Sequence, residues 1–289
     1  MSAYQKSVLI TGCSAGGIGH ALALEYHRYG YRVFATARKL ESMAELAAQG
    51  IETLQLDVSN AVQIQEVRQT LSVKTDGKLD ILVNNAGQIY DNAITDSEVE
   101  RVREIVEVNL VSPIIMTKEF SPLLIKAGGR VVLIGSITAI LPLPFTAAYA
   151  ATKAGIHSFS NVARIELAPF GVKVINIVTG VIQTNLWRDG KLPDDSLYKP
   201  MEDLYITHRL NIPQQGSTPV ADYARGVVRE TTKTVPSDWV YLGHNSLMAW
   251  AVETFAPRWV VDIMMNRTFG FNGVRRQARA QEGGVRKLS

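Results

Sequence analysis

The chain has 289 residues, of which 46% are hydrophobic and 20% charged, so it can bury about three quarters of its unfolded surface in one large α/β domain. This composition excludes a disordered chain. The net charge of +3 comes from a cluster of Arg and Lys after Gly273, so the body of the chain has no basic excess and no nucleic-acid partner is expected.

Cysteine and the N-terminal segment restrict the class of protein further. Cys13 is the single cysteine, which excludes an internal disulfide, a CxxC redox pair and a thiolate metal site, so no metal is expected. The first residues contain no apolar stretch followed by a small-residue cleavage site. These features predict an intracellular protein in a reducing compartment.

Short β-branched and apolar runs alternate along the chain with longer segments of helical periodicity. The runs are apolar on both faces, as in a buried parallel sheet, and the segments between them are long enough for crossover helices. This alternation predicts an α/β fold with a doubly wound, Rossmann-type parallel sheet. The predicted strands are residues 7–11, 32–37, 53–56, 81–84, 130–134 and 173–178, and the predicted helices include residues 18–29, 99–120 and 149–170.

A glycine-rich segment, GCSAGGIG at residues 12–19, lies between the first strand and the first helix. In this position, glycines let the backbone approach the pyrophosphate of a dinucleotide, and the helix N-terminus supplies N–H donors and a positive dipole. The alternative is an ordinary turn, in which glycine is also common. The predicted cofactor contacts of this segment are Gly12, Ser14, Gly17, Ile18 and Gly19.

The end of the second strand predicts which dinucleotide binds. An NAD enzyme places an Asp or Glu there to accept from the ribose 2′-hydroxyl, whereas this strand ends in Arg38 and Lys39. The guanidinium of Arg38 can pair with a 2′-phosphate through two hydrogen bonds. NADP(H) is therefore favoured, the alternative being that both cations belong to the solvated surface.

Tyr149 and Lys153 are four residues apart, so they share one face of a predicted helix. An ammonium beside the phenol is expected to lower the tyrosine pKa from about 10, which would make Tyr149 a proton donor or acceptor. Ser136 follows the fifth strand, where its hydroxyl can bond the same substrate oxygen. Alone, a tyrosine and a lysine at this spacing are more often a surface pair. The serine and the glycine-rich segment favour a catalytic site.

Together these motifs resemble the short-chain dehydrogenase/reductase family, in its standard branch with a Y-x-x-x-K motif. The resemblance covers residues 8–184 through TGCSAGGIG at 11–19, LDV at 56–58, NNAG at 84–87, YAATK at 149–153 and TGVIQT at 179–184. It implies that Tyr149 is the general acid/base and that Lys153 also binds the nicotinamide ribose. It further implies that Ser136 polarises the carbonyl and that Asn109 holds a relay water. The remaining implied cofactor contacts are Asp57, Val58, Asn85, Ala86, Gly87, Ile182 and Thr184.

Two positions depart from the family's pattern. The glycine segment is one residue longer than the usual T-G-x-x-x-G-x-G, so Gly16 and Gly17 compete for the middle glycine position. Thr179 stands where proline is common, and it is expected to loosen the turn that leads to the substrate lid. Neither departure removes a catalytic group.

The family does not determine the substrate, because specificity lies in a variable lid, here about residues 185–219. Its composition predicts a mostly apolar lid over a small lipophilic ketone: an acyl-dihydroxyacetone phosphate, a steroid-like ketone or a secondary-metabolite ketone. Fungal acyl-dihydroxyacetone-phosphate reductases are the branch that the chain most resembles. The alternatives are a non-redox dinucleotide-binding protein and a lipid-surface protein on the same scaffold. The apolar lid residues are Trp187, Leu192, Leu197, Tyr198, Met201, Leu204 and Tyr205.

Residues 246–289 are predicted to form an apolar and basic helical extension after a catalytic domain of residues 1–245. Residues 239–271 hold three of the four tryptophans, but charged residues and Pro257 make a spanning helix unlikely to form. Two short amphipathic helices lying on a membrane or lipid droplet are expected, with Arg275, Arg276 and Arg279 drawn to anionic lipid. The alternative is that these side chains close the substrate pocket or a subunit contact.

The family resemblance also implies a homo-oligomer, either a dimer or a tetramer, that pairs through the helices at 99–120 and 149–170. Apolar residues on these helices are the candidate contacts, the alternative being that they belong to the core. They are Ile105, Val108, Val111, Ile115, Ile156, Phe159 and Ala163.

Overall fold

The structure, a computed structural model, describes residues 5–185, 190–212 and 216–271. Trp187 of the lid and the tail cations Arg275, Arg276 and Arg279 lie outside these ranges. Seven strands form one parallel sheet in the order β3-β2-β1-β4-β5-β6-β9, and β7 and β8 pair separately. The strands are β1 Ser7–Thr11, β2 Arg32–Ala37, β3 Glu52–Gln55, β4 Ile81–Asn84, β5 Arg130–Ile134, β6 Lys173–Thr179, β7 Ile182–Gln183, β8 Thr218–Pro219 and β9 Trp239–Leu242.

The doubly wound sheet predicted from the sequence is confirmed, and its central strands are apolar on both faces, where helices cover both sides. In β1, Val8 pairs with Val33 and Ile81 and faces one helical layer, whereas Leu9 faces the other. The helices are α1 Ile18–Arg28, α2 Ala44–Ala48, α3 Ala61–Lys74, α4 Val99–Val106, α5 Ser112–Ala127, α6 Ala147–Leu167, α7 Glu202–Tyr205, α8 Val220–Thr232, α9 Ser246–Phe255 and α10 Arg258–Thr268.

Helices α4 and α5 are joined by a π-helical turn, Glu107–Val111, into a continuous helical stretch. Within the described ranges, Val99–Ala127 is the one helix long and apolar enough to cross a membrane. Because 44% of its apolar window is buried and Phe120 and Leu124 pack against the sheet, we assign it to the core.

The C-terminal segment differs in part from the prediction. Trp239 and Tyr241, at the start of the apolar run 239–271, belong to β9, an edge strand of the main sheet, and not to an amphipathic helix. The two expected short helices are present as α9 and α10, and α9 contacts β9. The extension therefore packs directly on the sheet that carries the site.

Candidate active site

A cleft of about 770 Å³ lies at the carboxyl ends of the parallel strands, where doubly wound folds bind their ligands. The loops after β1, β2, β4, β5 and β6 form its walls. Most of the site residues predicted from the sequence line it together. These are Gly12, Ser14, Gly17, Ile18, Arg38, Asp57, Val58, Asn85, Ala86, Gly87, Ser136, Tyr149, Lys153, Ile182 and Thr184.

The glycine segment fits a bound dinucleotide because its backbone passes close to the loop after β4. Gly12 has φ +75°, and a Cβ on it would lie 2.8 Å from the Cα of Ala86. Asn85 holds the two loops together, since its Nδ2 donates to the carbonyls of Thr11 at 2.8 Å and Gly12 at 3.1 Å. A side chain at Gly12 would push the two loops apart, so glycine is required for this close approach.

The structure separates the three later glycines of the segment. Gly17 is the N-cap of α1 and lines the cleft, whereas Gly16 has φ +74° and its missing Cβ leaves room for the side chain of Asn185. Gly19, also predicted to contact the cofactor, is not among the residues that line the cleft. A Cβ there would collide with the Gly12 carbonyl oxygen, so Gly19 permits close packing between the helix and the loop.

Arg38 lies at the end of β2, is exposed and lines the cleft, whereas Lys39 does not line it. The backbone of Arg38 is held by Gln55, whose Nε2 donates to its carbonyl at 3.0 Å. The guanidinium of Arg38 therefore lies at the end of the cleft next to β2, where it can reach a ribose 2′-phosphate.

Ser136 and Lys153 are positioned by β5 and α6. The Ser136 hydroxyl oxygen accepts two hydrogen bonds from Thr138, one from its backbone N–H at 3.2 Å and one from the Thr138 hydroxyl at 2.9 Å. Lys153 is buried, and its Nζ donates to the Ile134 carbonyl at 2.8 Å while lying 5.8 Å from the centre of the Tyr149 ring. Burial lowers the pKa of Lys153 to about 8.

Tyr149 differs from the expectation that a neighbouring ammonium lowers its pKa. Burial raises the pKa of Tyr149, and this outweighs the opposing effects of a hydrogen bond with Ser136 and the charge of Arg209. Lys153 does not offset this effect, because its Nζ is directed to the Ile134 backbone carbonyl. Tyr149 is therefore a protonated phenol at neutral pH.

Asn109 lies behind the wall of the cleft, in the π-helical turn between α4 and α5. Its Oδ1 accepts from the Gln88 N–H at 2.8 Å, and its Nδ2 donates to the Gln88 carbonyl at 2.9 Å and to Thr152 Oγ1 at 3.2 Å. Asn109 thereby joins the loop after β4 to α6, the helix that carries Tyr149 and Lys153. π-helical turns of this kind often occur at functional sites.

Thr179 does not loosen the turn after β6. It is the last residue of the strand, and its Oγ1 shares a 2.6 Å hydrogen bond with the hydroxyl of Tyr223 on α8. The hydroxyl therefore ties the strand end to a flanking helix, a connection that proline could not make.

The lid is not the apolar wall that its composition predicts. Leu192, Met201 and Tyr205 are buried against Phe145 and Phe269 in a separate cluster, and they do not line the cleft. The described lid residues that do line it are Asn185, His208, Arg209, Ile212 and Gly216. No spacing pattern in the sequence indicates these positions, since an isolated histidine or arginine in a loop is usually solvated.

Apolar walls are supplied instead by the loop after β5 and by the C-terminal helices. Of the two interpretations of the C-terminal segment, pocket closure therefore has direct structural support. The apolar lining residues are Ile137, Leu141, Leu143, Val181, Met248, Met264, Met265 and Phe269.

A doubly wound sheet, a glycine cradle at a helix N-terminus, and a Ser, Tyr and Lys together at the strand ends define a dinucleotide-binding oxidoreductase.

Comparison with known proteins agrees with this class. The family model for short chain dehydrogenases matches residues 6–193, and the chain belongs to that family. It is 39% identical over 271 residues to short-chain dehydrogenase RED1 of Pyricularia oryzae, covering 92% of this chain and 95% of the relative. It is also 42% identical over 212 residues to an NADPH-dependent 1-acyldihydroxyacetone phosphate reductase of Schizosaccharomyces pombe, covering 71% and 72%. A solved short-chain dehydrogenase from Streptomyces avermitilis superposes with a TM-score of 0.76 at 26% identity, covering both chains completely.

Proposed function

We propose that the chain reduces a lipophilic ketone to a secondary alcohol with NADPH, or catalyses the reverse reaction. The observation that carries this proposal is the single cleft that joins Arg38 and the glycine cradle to Ser136, Tyr149 and Lys153. The NADPH dependence printed for the Schizosaccharomyces pombe relative supports the cofactor. Bound NADPH supplies the hydride.

The chain's own residues hold the carbonyl and supply the proton. Ser136 and Tyr149 both face the cleft, so their hydroxyls can bond one substrate oxygen and stabilise its developing negative charge. The raised pKa of Tyr149 keeps the phenol protonated, which suits donation to an alkoxide. Lys153 and Asn109 are proposed to orient the nicotinamide ribose and a relay water.

The substrate is proposed to be an extended ketone with an apolar part. Met265 and Phe269 give the cleft an apolar side, which matches an acyl chain or a hydrophobic ring system. The printed substrate of the Schizosaccharomyces pombe reductase, a 1-acyldihydroxyacetone phosphate, belongs to this class.

A panel of ketones tests the proposal, with loss of NADPH absorbance as the readout. The panel should contain an acyl-dihydroxyacetone phosphate, a steroid ketone and a polyketide-type ketone. Turnover of at least one member, abolished in Tyr149→Phe, supports the enzyme. Tight NADPH binding without turnover of any member would favour a non-redox dinucleotide-binding protein.

We also propose that α9 and α10, at the start of the 246–289 extension, attach the enzyme to a membrane or lipid-droplet surface. One side of these helices lines the cleft, while Leu247, Phe255, Trp259 and Ile263 are exposed apolar side chains on the same two helices. Such a patch suits contact with lipid beside the entrance for a lipophilic substrate.

Flotation with anionic liposomes tests this attachment. Trp259→Glu together with Ile263→Glu is expected to move the protein from the liposome fraction to the soluble fraction. Val73→Glu is the matched control, because Val73 is also exposed and apolar but lies on α3. A parent protein that stays soluble at low salt would contradict the proposal.

We also propose a homodimer that forms through α5 and α6. The residues at its interface differ from those predicted from the sequence. Ile105, Ile156 and Ala163 are buried in the chain's own core. Val162 and Ile165 on α6 are instead exposed and remain available to a second subunit.

A further inference from the structure

Arg209 is a buried cation that the lid presents to the cleft. It lies in the π-helical turn Ile206–Leu210, is only 2% exposed to solvent, and lines the cleft. Its guanidinium forms an ion pair with Asp91 in the loop after β4. Tyr205 adds a second connection, since its hydroxyl donates to the Asp91 backbone carbonyl at 3.1 Å.

This ion pair lies close to the reacting groups. The charge of Arg209 lowers the pKa of Tyr149 and that of Asp91 raises it, so both charges act on the phenol. Burial in turn raises the pKa of Asp91 above its usual range, against the effect of Arg209. The guanidinium is therefore within electrostatic reach of the Tyr149 phenol, the proposed proton donor.

Packing alone does not account for a cation at this position. Burying an ion pair has a large desolvation cost, and apolar residues of similar volume usually serve a core equally well or better. The neighbouring lid side chains Met201 and Tyr205 pack in an apolar cluster with Phe145 and Phe269. A charged residue that faces the cleft from such surroundings points to a charged ligand.

The other cations of the cleft are assigned to the cofactor. Among described Lys and Arg residues, Arg38, Lys153 and Arg209 line the cleft. Arg38 lies at the adenosine end, and Lys153 lies beside the Ile134 carbonyl at the proposed nicotinamide ribose site. Arg209 remains for the substrate.

We infer that Arg209 is a specificity-determining residue that binds an anionic oxygen of the substrate, a phosphate or carboxylate near the reacting ketone. This inference rests on the proposed ketone reduction. A guanidinium binds such oxyanions through short, charge-assisted hydrogen bonds. Asp91 holds the guanidinium in position and keeps the lid over Tyr149.

Two matched ketones test the inference: hexadecanoyl-dihydroxyacetone phosphate and the same molecule without its phosphate. The ratio of their kcat/KM values is measured for the parent, Arg209→Met, Arg209→Lys and Asp91→Asn. Arg225→Met is the control, because Arg225 is an exposed arginine that is also paired with an aspartate, Asp222.

Arg209→Met is expected to reduce the preference for the phosphorylated ketone by about 10- to 100-fold, mainly through KM. Arg209→Lys should retain part of the preference, and Asp91→Asn should reduce it less than Arg209→Met does, because the cation remains but loses the carboxylate that holds it in position. An equal loss with both ketones in Arg209→Met would overturn the inference and leave Arg209 as a structural contact of the lid.

A binding measurement separates this inference from the proposed function. If the parent reduces neither ketone, the proposed substrate class fails, and dodecyl phosphate and dodecanol are titrated into the NADPH-loaded protein instead. Tighter binding of dodecyl phosphate that Arg209→Met abolishes would support the anion site. Equal binding of the two probes by the parent would overturn it.

Discussion

Lowering the pH from about 7 to about 5 is expected to destabilise the fold through His157. This histidine is buried beneath the loop after β5, where its Nε2 accepts from the Ser136 N–H at 3.4 Å. Its ring packs edge-on against Trp239, with the two ring centroids 5.0 Å apart. Burial, aided by the charge of Lys153, lowers the pKa of His157 to about 4 from the usual 6.5. As the pH falls below 6.5, the pKa of histidine in the unfolded chain, the imidazole is protonated in the unfolded chain but remains neutral in the folded chain.

The stability that His157 contributes is thus present above about pH 6.5 and is lost as the pH falls toward about 4. The pKa difference corresponds to about 3 kcal/mol in full, of which about 2 kcal/mol is lost between pH 7 and pH 5. Urea unfolding followed by tryptophan fluorescence measures the free energy of unfolding at both pH values.

The parent should lose about 2 kcal/mol more than His157→Gln over this range. His27→Gln, which changes an exposed histidine, is the control and should behave like the parent. If the parent and His157→Gln lose the same free energy of unfolding, His157 is not held neutral by burial and the reasoning is refuted.

Arg38→Ala should reduce the preference for NADPH over NADH by about 10- to 100-fold, since a charge-assisted contact with the 2′-phosphate is lost. Lys39→Ala should leave the preference unchanged, and an unchanged ratio in Arg38→Ala would contradict the cofactor assignment. Burial raises the pKa of Cys13 to about 12, so iodoacetamide should alkylate it only after unfolding. Rapid alkylation of the native protein would show that the loop opens. Light scattering should give a dimer mass that Ile165→Glu lowers to a monomer, and a monomeric parent would argue against the α5/α6 interface.

The main sheet could be predicted because its central strands are apolar on both faces and alternate with long helices. β9 was missed because it is an edge strand, and only Val240 of its four residues is fully buried. The grouping of the residues at the strand ends was also predictable, because parallel strands bring their carboxyl ends to one edge of the sheet.

Burial determines the features that the sequence did not predict. Helical spacing placed Lys153 near Tyr149, but the tyrosine pKa depends on desolvation, which spacing does not reveal. The composition of the lid showed apolar residues without showing that they face Phe145 and Phe269 and not the cleft. Arg209 gave no signal at all, because its role depends on Asp91, 118 residues earlier in the chain.

The central claim is that Tyr149 donates the proton in an NADPH-dependent ketone reduction. Its most direct test is the rate of NADPH oxidation by Tyr149→Phe with a ketone that the parent reduces, alongside NADPH binding measured by fluorescence. We predict a fall in kcat of about 100- to 10,000-fold with NADPH affinity retained, because the ring still packs while the proton donor is lost. A variant that binds NADPH and keeps more than about a tenth of the parent's rate would contradict the account.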